Sequence, residues 1–437
     1  MTEARQFRFV HFADVHLGCR QYGLDERAAD FTRAFESAVR YCLDTKPDLV
    51  VIAGDLFDSK ATEPKFYADA DLQLIALGAA GIPVVAIEGN HERWYRRGDR
   101  SWLWQLSRSG RLRLLAQSDP SASGMEWQPW TAERGFGAYT DVGPVRVFGV
   151  QYLGTRLRPL ISGLVAAAAQ APSDGTTFRI GVVHTGVAEG SMLAHGGLAY
   201  EELAPLRQVA DYLALGHIHH NYVMPPDDPW IFNPGSLEAH SMAEGEDAAP
   251  IGPGRVRGIY DVQVTLTDPP SFTPTFIEAG LVRRPFRRVR VDVTGAMTFE
   301  DLCARLDGAL DSVSSSDEPP VLELILTGRL GFDRALLDQR ALMEAIDARL
   351  HPMLTRITAQ LESPSTGPGI DARRASREQI ERDVFRRLIE ESPYEAQREP
   401  LAETIAELKR AALDGEPVET QAAILEEVKS GPGAVTC

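Results

Sequence analysis

Five short apolar runs in the first half of the chain each end in a cluster of Asp, Asn and His residues. This recurrence constrains the fold more than any other feature. Phe7-Arg8-Phe9-Val10 leads into Asp14 and His16, and Leu49-Val50-Val51-Ile52 into Asp55 and Asp58. Val84-Val85-Ala86-Ile87 leads into Asn90 and His91, Ile180-Gly181-Val182-Val183 into His184, and Tyr212-Leu213-Ala214-Leu215 into His217 and His219. Runs this short and this apolar read as buried strands. In open α/β sheets the carboxyl ends of the strands gather the ligands, so these polar side chains are expected to converge on one site.

Between the runs the pattern turns helical. From Asp30 to Asp44, the residues Phe31, Ala34, Phe35, Ala38, Val39, Cys42 and Leu43 fall on one stripe that should stop before Lys46-Pro47, and a second helix is expected over Lys65 to Leu77. Val145 to Val150 and Ile259 to Val264 read as further strands with less helix between them. The expected class is therefore α/β (α+β layered), with mixed sheets flanked by helices. Ser241 to Gly254 reads as a loop, and Asn233-Pro234-Gly235-Ser236 as a turn first and a nest of backbone amides for phosphate second.

A boundary is expected between Asp268-Pro269-Pro270 and Pro285, which divides the chain into a catalytic domain over 1–280 and a small α/β module over 285–362. Within the module, strands are expected at Phe286 to Val293, Val321 to Thr327 and Leu354 to Leu361, with helices at Phe299 to Leu310 and Arg334 to Leu350. A linker over 363–371 precedes a helical segment over 372–430 and a tail over 431–437. The helical segment is expected to hold helices at Arg377 to Ser392, Leu401 to Leu413 and Val418 to Val428. It has too few apolar residues for a core of its own and needs a partner surface.

No stretch approaches the roughly 18 uninterrupted apolar residues of a membrane helix, and the N-terminus leaves no room for a signal peptide. Cys19, Cys42, Cys303 and Cys437 are scattered, which fits a reducing cytoplasm better than a disulfide framework or a thiolate metal site. A formal charge of −17 argues against nucleic-acid binding through a wholly basic surface, though not through a local patch. Two such patches stand out. Arg93, Arg96, Arg97 and Arg100 follow the Asn90-His91 motif with Trp94, Tyr95, Trp102 and Trp104 interleaved, and phosphate contact is expected there. Arg283, Arg284, Arg287, Arg288 and Arg290 flank Pro285-Phe286 and read equally well as solvated surface.

The polar clusters suit a pair of divalent cations about 3.5–4 Å apart, which requires a bridging carboxylate, imidazoles and open positions for substrate. Asp55 is the natural bridge. Asp14 and His16 are expected to share a face as alternate residues at a strand end, and His217 and His219 to repeat that geometry. The expected division gives Asp14, His16, Asp55 and His219 to one ion, and Asp55, Asn90, His184 and His217 to the other. Without thiolate, this oxygen and nitrogen set suits manganese, iron or zinc better than calcium. His91 is expected over the pair as the catalytic imidazole, with the Asp58 carboxylate fixing its tautomer or else capping a helix. His11 is expected in the core or behind the ligands, and His195 and His240 in loops near the substrate.

In this order and at these intervals, the motifs resemble the calcineurin-like metallophosphoesterases. HFADVHLG followed by Gln21-Tyr22, then GDLFD, GNHE, GHIHH and NPGSLE, resembles in particular the SbcD-type nuclease subunits of double-strand-break repair. The resemblance is close over residues 7–240, weaker over 286–361, where the family carries a DNA-contacting cap, and suggestive over 372–430. It implies the same seven ligands with His91 as the catalytic imidazole, and two Mn²⁺ per chain, with Fe²⁺ or Zn²⁺ possible. It implies exonuclease and endonuclease activity on DNA, contacts to DNA from Gln21, Tyr22, Arg93, Arg96 and Arg97, a homodimer, and an SbcC-type SMC-like ATPase partner clasped by the C-terminal helices. One departure is Asp58, where archaeal members carry a histidine. The competing enzyme reading is a nucleotide or cyclic-nucleotide phosphodiesterase, and a non-catalytic scaffold for the ATPase is a third.

Overall fold

Strands that are apolar at every position have no face to give to solvent, and here they lie between two layers. A computed structural model of the chain describes residues 5–93, 100–117, 127–171, 175–187, 197–244, 256–278, 280–313, 318–362, 377–390 and 398–413. The first sheet contains β1 (Arg5–Phe12), β2 (Leu49–Ile52), β3 (Val84–Ile87) and β4 (Arg113–Leu115). The second begins with β5 (Tyr139–Val142), β6 (Val145–Val150), β7 (Phe178–His184) and β8 (Tyr212–Gly216), and ends with β9 (Tyr222–Met224) and β10 (Ile231–Asn233). The chain then returns to the first sheet with β11 (Ile259–Leu266) and β12 (Ser271–Ile277). The strand orders are β12-β11-β1-β2-β3-β4 and β5-β6-β7-β8-β10-β9. β1 to β4 run parallel, as do β6 to β8, while β11 and β12 add antiparallel to the first sheet and β5 and β9 to the second, so both sheets are mixed.

Alternate residues of each central strand serve different cores. Phe7, Phe9, Leu49, Val51, Val85 and Ile87 meet Val145, Val147, Ile180 and Val182 between the sheets. Val10, Phe12, Val50, Ile52, Val84 and Ala86 face the helices α1 (Asp25–Thr45) and α2 (Pro64–Ala79). The outer face of the second sheet is covered by α4 (Ile161–Gln170) and by the short α5 (Tyr200–Leu203), while α3 (Trp102–Arg108) packs beside β4.

α1 begins five residues before the expected Asp30, because its first turn buries Arg27, a residue that breaks an apolar stripe on paper. β12 occupies part of the Pro-rich stretch expected to be a boundary. It is an edge strand, and Pro274, opposite Val262, stands where a strand tolerates proline.

The module beyond it has a three-stranded sheet of β13 (Phe286–Asp292), β14 (Val321–Gly328) and β15 (Leu354–Leu361), with helices α6 (Phe299–Leu310) and α7 (Gln339–Leu350). The helix expected from Arg334 is split: one 3₁₀ turn over Arg334–Leu336 precedes α7, whose start is fixed by Asp338 accepting from the N–H groups of Arg340 and Ala341. The module meets the catalytic layers through an apolar cluster of Ala239, Met242, Phe286 and Val321, joined by Tyr22, Met353 and Leu354.

Residues 361–437 form a second compact unit. Its described part is a pair of helices, α8 (Arg377–Glu390) and α9 (Arg398–Leu413), joined by Arg386–Glu399 and Lys409–Glu381 ion pairs at 2.9 Å each. The third helix expected at Val418 to Val428 lies outside the described residues, as do residues 245–254 of the loop expected over Ser241 to Gly254 and the linker expected over 363–371. No helix among the described residues is long and apolar enough to cross a membrane.

Candidate metal centre

The loops after β1, β2, β3 and β8, with the last residue of β7, bring all seven expected ligands and His91 to one end of the two sheets. Alternation along a strand does not explain how Asp14 and His16 meet, because β1 ends at Phe12. Both residues instead take left-handed backbone, with φ of 53° each, as do Asp55 at 52° and His217 at 96°. Such backbone costs a non-glycine residue about 1–2 kcal/mol, and the surrounding main chain holds it there. The N–H groups of Val15 and His16 donate to the Asp55 carbonyl at 2.9 and 3.0 Å, and Asp14 N–H donates to the Gly54 carbonyl at 3.1 Å. The Asp14 carboxylate accepts from His217 N–H at 2.9 Å. Two glycines permit this crowding: a Cβ on Gly54 would lie 2.3 Å from Nδ1 of His184, and one on Gly89 would lie 2.0 Å from an Asp55 carboxylate oxygen.

Around the buried Asp55 the donor atoms fall into two sets. Nε2 of His184 lies 3.1 Å from Asp55 and 3.0 Å from Oδ1 of Asn90, and Nδ1 of His217 lies 2.9 Å from the same Asn90 oxygen. On the other side Nε2 of His16 lies 4.0 Å from both Asp14 and Asp55, and 3.2 Å from Nε2 of His219. Three imidazoles have their other nitrogen beside an oxygen acceptor. Nδ1 of His184 is 2.7 Å from the Ala53 carbonyl, Nδ1 of His16 is 3.3 Å from Asp58, and Nδ1 of His219 is 3.5 Å from Glu244. A nitrogen that donates to such an oxygen leaves its ring partner bare and aimed inward, which is how metal-binding histidines are set up.

The charges are strongly shifted in this crowd. Burial raises Asp14 above the usual carboxylate range. Burial would also raise Asp55, but the charge and hydrogen bond of His184, then His16, hold it well below that range. His184 itself rises to about 9, as Asp55 and Asp14 outweigh its burial. Glu92, unnoticed in the sequence, is buried with its carboxyl raised well above normal, first by burial and then by Asp55. It braces the second and third loops by accepting from Phe57 N–H at 2.8 Å and Gly89 N–H at 3.0 Å.

His91 is 36% exposed, and its ring lies 4.7 Å from that of His16. Its Nδ1 lies 2.7 Å from the main-chain carbonyl of Asp58, whereas the Asp58 carboxylate, expected to do the holding, stands 3.6 Å away and nearer to His16. Asp58 caps no helix, since α2 starts at Pro64 with Glu63 before it.

His240 comes much closer to the centre than expected, with its ring 4.1 Å from His16 and 4.8 Å from His219. It is pushed down to about 2 by burial and then by His16. Glu244 is held down to about 2, as the hydrogen bond and charge of His219 overcome its burial. The only sequence signal for this pair is its position just past NPGSLE, the turn in which Asn233 donates to the carbonyls of Ile218 and His220 and so braces the GHIH loop. Tyr152, also missed, sets its ring 5.6 Å from that of His217. His11 is a core residue between Tyr212 and the Leu215 carbonyl, and His195 lies outside the described residues.

The expected DNA contacts are scattered. Gln21 is buried and accepts from Arg27 at 2.7 Å, Tyr22 lies under the guanidinium of Arg356, and buried Arg93 donates to the Tyr152 carbonyl. Arg96 and Arg97 lie outside the described residues. In the second arginine cluster, Arg284 pairs with Asp30 at 2.7 Å, Arg288 with Glu323 at 2.8 Å, and Arg283 donates to the Leu237 carbonyl at 3.0 Å. That cluster is largely a fastening between the module and the catalytic layers.

Residues 7–221 match the family model of the calcineurin-like phosphoesterases, and the chain carries a domain of that class. Within that class the curated relatives it resembles include DNA double-strand break repair proteins named Mre11. It is 30% identical over 241 residues to the DNA double-strand break repair protein Mre11 of Archaeoglobus fulgidus, covering 54% of this chain and 51% of that protein. To the protein of the same name from Aeropyrum pernix it is 26% identical over 381 residues, 83% of this chain and 84% of the other. To that of Saccharolobus solfataricus it is 24% identical over 322 residues, 74% and 75% of the two chains. The chain thus spans about half the length of the Archaeoglobus relative and most of the other two.

Proposed function

We propose that this chain is a manganese-dependent DNA nuclease that hydrolyses phosphodiester bonds in double-strand-break repair together with an SMC-like ATPase. The observation that carries the reading is the convergence of two carboxylates, an amide oxygen and four imidazoles on one point, with Asp55 between the two sets. The donors fit a pair of cations. Bare imidazole nitrogens face inward, Asp14, Asp55 and His184 are buried with ligand atoms within 4.8 Å of one another, and no thiolate is among these seven. Asp14, His16, Asp55 and His219 would hold one cation, and Asp55, Asn90, His184 and His217 the other. When bound, such a pair polarises the scissile phosphate and activates water.

The chain's own contribution beyond the ligands is His91. A carbonyl oxygen can only accept, so the 2.7 Å contact with Asp58 puts a hydrogen on Nδ1 and leaves Nε2 as the working nitrogen. In the imidazolium form Nε2 can donate to charge developing on phosphate oxygens or to the departing oxygen. The module over residues 286–361 is the expected DNA-contacting surface, and α8 and α9 the expected ATPase clasp, in a homodimeric assembly.

The test is turnover of linear duplex DNA, bis-p-nitrophenyl phosphate and cyclic AMP, each with and without Mn²⁺. Manganese-dependent loss of the duplex and of the aryl diester, with cyclic AMP intact, is the expected result. Hydrolysis of cyclic AMP with intact duplex would replace the nuclease by a nucleotide phosphodiesterase.

A further inference from the structure

Cys19 lies three residues beyond His16, in the turn after β1, where its N–H donates to the His16 carbonyl at 3.0 Å. The turn carries its buried thiol to 4.0 Å from Nδ1 of His240. Nε2 of the same ring lies 3.8 Å from an Asp58 carboxylate oxygen. With one ligand atom from each, Cys19, Asp58 and His240 all lie within 4.8 Å of one another. A tetrahedral zinc ion with bonds of about 2.0–2.3 Å spaces its ligand atoms roughly 3.4–3.7 Å apart. Three donors from three loops therefore lie within about 1 Å of the spacing one ion requires.

A separate observation points into the same space. Nε2 of His240 is buried without a hydrogen-bond partner. An orphaned imidazole nitrogen beside a thiol and a carboxylate is an arrangement that one cation would satisfy.

We propose that Cys19, Asp58 and His240 form a third cation site beside the paired centre, selective for Zn²⁺ and cations of its class. A thiolate and a carboxylate together neutralise a divalent ion, the thiol's proton passing to solvent as the metal takes its place. Sulfur also sets the site apart from its neighbours. Zinc and cobalt accept thiolate with imidazole, whereas manganese favours oxygen. The same chain therefore sorts two kinds of metal within a few side chains, and the scattered cysteines conceal the ligand that does it. Among the described residues, neither Cys42 nor Cys303 has such companions.

The test is spectroscopic and independent of turnover. The full chain, freed of metal, is titrated with Co²⁺ and followed in the near-ultraviolet, where only sulfur-bound cobalt gives an intense ligand-to-metal charge-transfer band. The wild type should develop that band and saturate it at one sulfur-bound cobalt per chain. C19A and the near-isosteric C19S should lose it completely while keeping the weak visible bands of cobalt held by oxygen and nitrogen. No charge-transfer band in the wild type at saturating Co²⁺, or a band that survives in C19A, would overturn the site. Neither result bears on whether the paired centre hydrolyses DNA.

Discussion

A single carbonyl oxygen decides which nitrogen of His91 can work. Asp58 holds Nδ1 through its main chain, so the side chain of Asp58 is free to serve His16 instead. His91→Asn should keep both manganese ions yet lose about 10²–10⁴-fold in kcat, the usual weight of a general acid. Metal content and turnover on the same preparation check it. Asp58→Asn should leave kcat at saturating Mn²⁺ within a few-fold, because the carbonyl contact survives. Its apparent manganese affinity should fall about 10–100-fold, the ordinary cost of losing an oxygen behind a ligating histidine. A manganese titration of the rate separates the two, and a collapse of kcat with unchanged affinity would return Asp58 to the His91 dyad. His184 offers a third check. Asp55 and Asp14 raise His184 to about 9, so the metal-free chain is expected to hold a proton there at neutral pH. Loading must displace it, so metal affinity should rise with pH toward about 9. Calorimetry at neutral pH in buffers of different ionisation enthalpy should report proton release on loading. At this scale the ligands were legible because Asp and His after apolar runs have few other reasons to recur. The task of the Asp58 carbonyl and the closeness of His240 were not legible, since both depend on left-handed loop backbone that residue types do not announce.

Among the elements, β2, β3 and β8 were the most readable because burial on both faces leaves only apolar residues and glycine in them. The edge strands β9 and β12 were not, β9 having only three residues and β12 being half polar and Pro-containing, each held by a neighbour's register. The larger surprise is the use of arginine. Arg27 on α1 is fully buried, donates to Gln21, Asp30 and Ala239, and lies against the rings of Phe31 and Phe286. Asp30, itself buried, accepts from Arg27, Arg33 and Arg284, and Arg33 continues to Glu318 of the module at 2.5 Å. Burial would raise the Asp30 carboxyl, but Arg284, Arg27 and Arg33 hold it below the usual range. Asp30→Asn should therefore cost up to about 3–5 kcal/mol, since it leaves the buried guanidinium of Arg27 with Glu238, at 3.2 Å, as its remaining carboxylate. The sign with pH follows from the depressed value. The contribution of Asp30 is present above the unfolded carboxylate range, about 3.9, and is lost as pH falls through the lower folded value. Thermal melts of both proteins at neutral pH and at decreasing acid pH should show the wild type losing an advantage that the variant lacks.

At the scale of the whole molecule, the chain divides into one unit that carries the site and another that has little to bury. In residues 361–437, among the described side chains of α8 and α9, Ile389, Ala402 and Ala411 are buried while Val384 and Ile405 are exposed. Their hydrogen-bonded ion pairs are exposed and contribute little, about 0–1 kcal/mol each. Ordering a helix pair costs more than so small an interior returns, so this unit is expected to be completed by another surface. The partner proposed for that surface is the SMC-like ATPase. The consequence is a clean separation of tasks. Ending the chain after Glu362 removes no ligand, no part of His91 and its carbonyl clamp, and none of the Asp30 fastening. Manganese-dependent hydrolysis of bis-p-nitrophenyl phosphate should then proceed within about two-fold of the full chain, while co-purification with the ATPase is lost. An ATPase retained at undiminished yield would move the docking surface into residues 1–362 and leave the helix pair without the role its exposed apolar residues suggest.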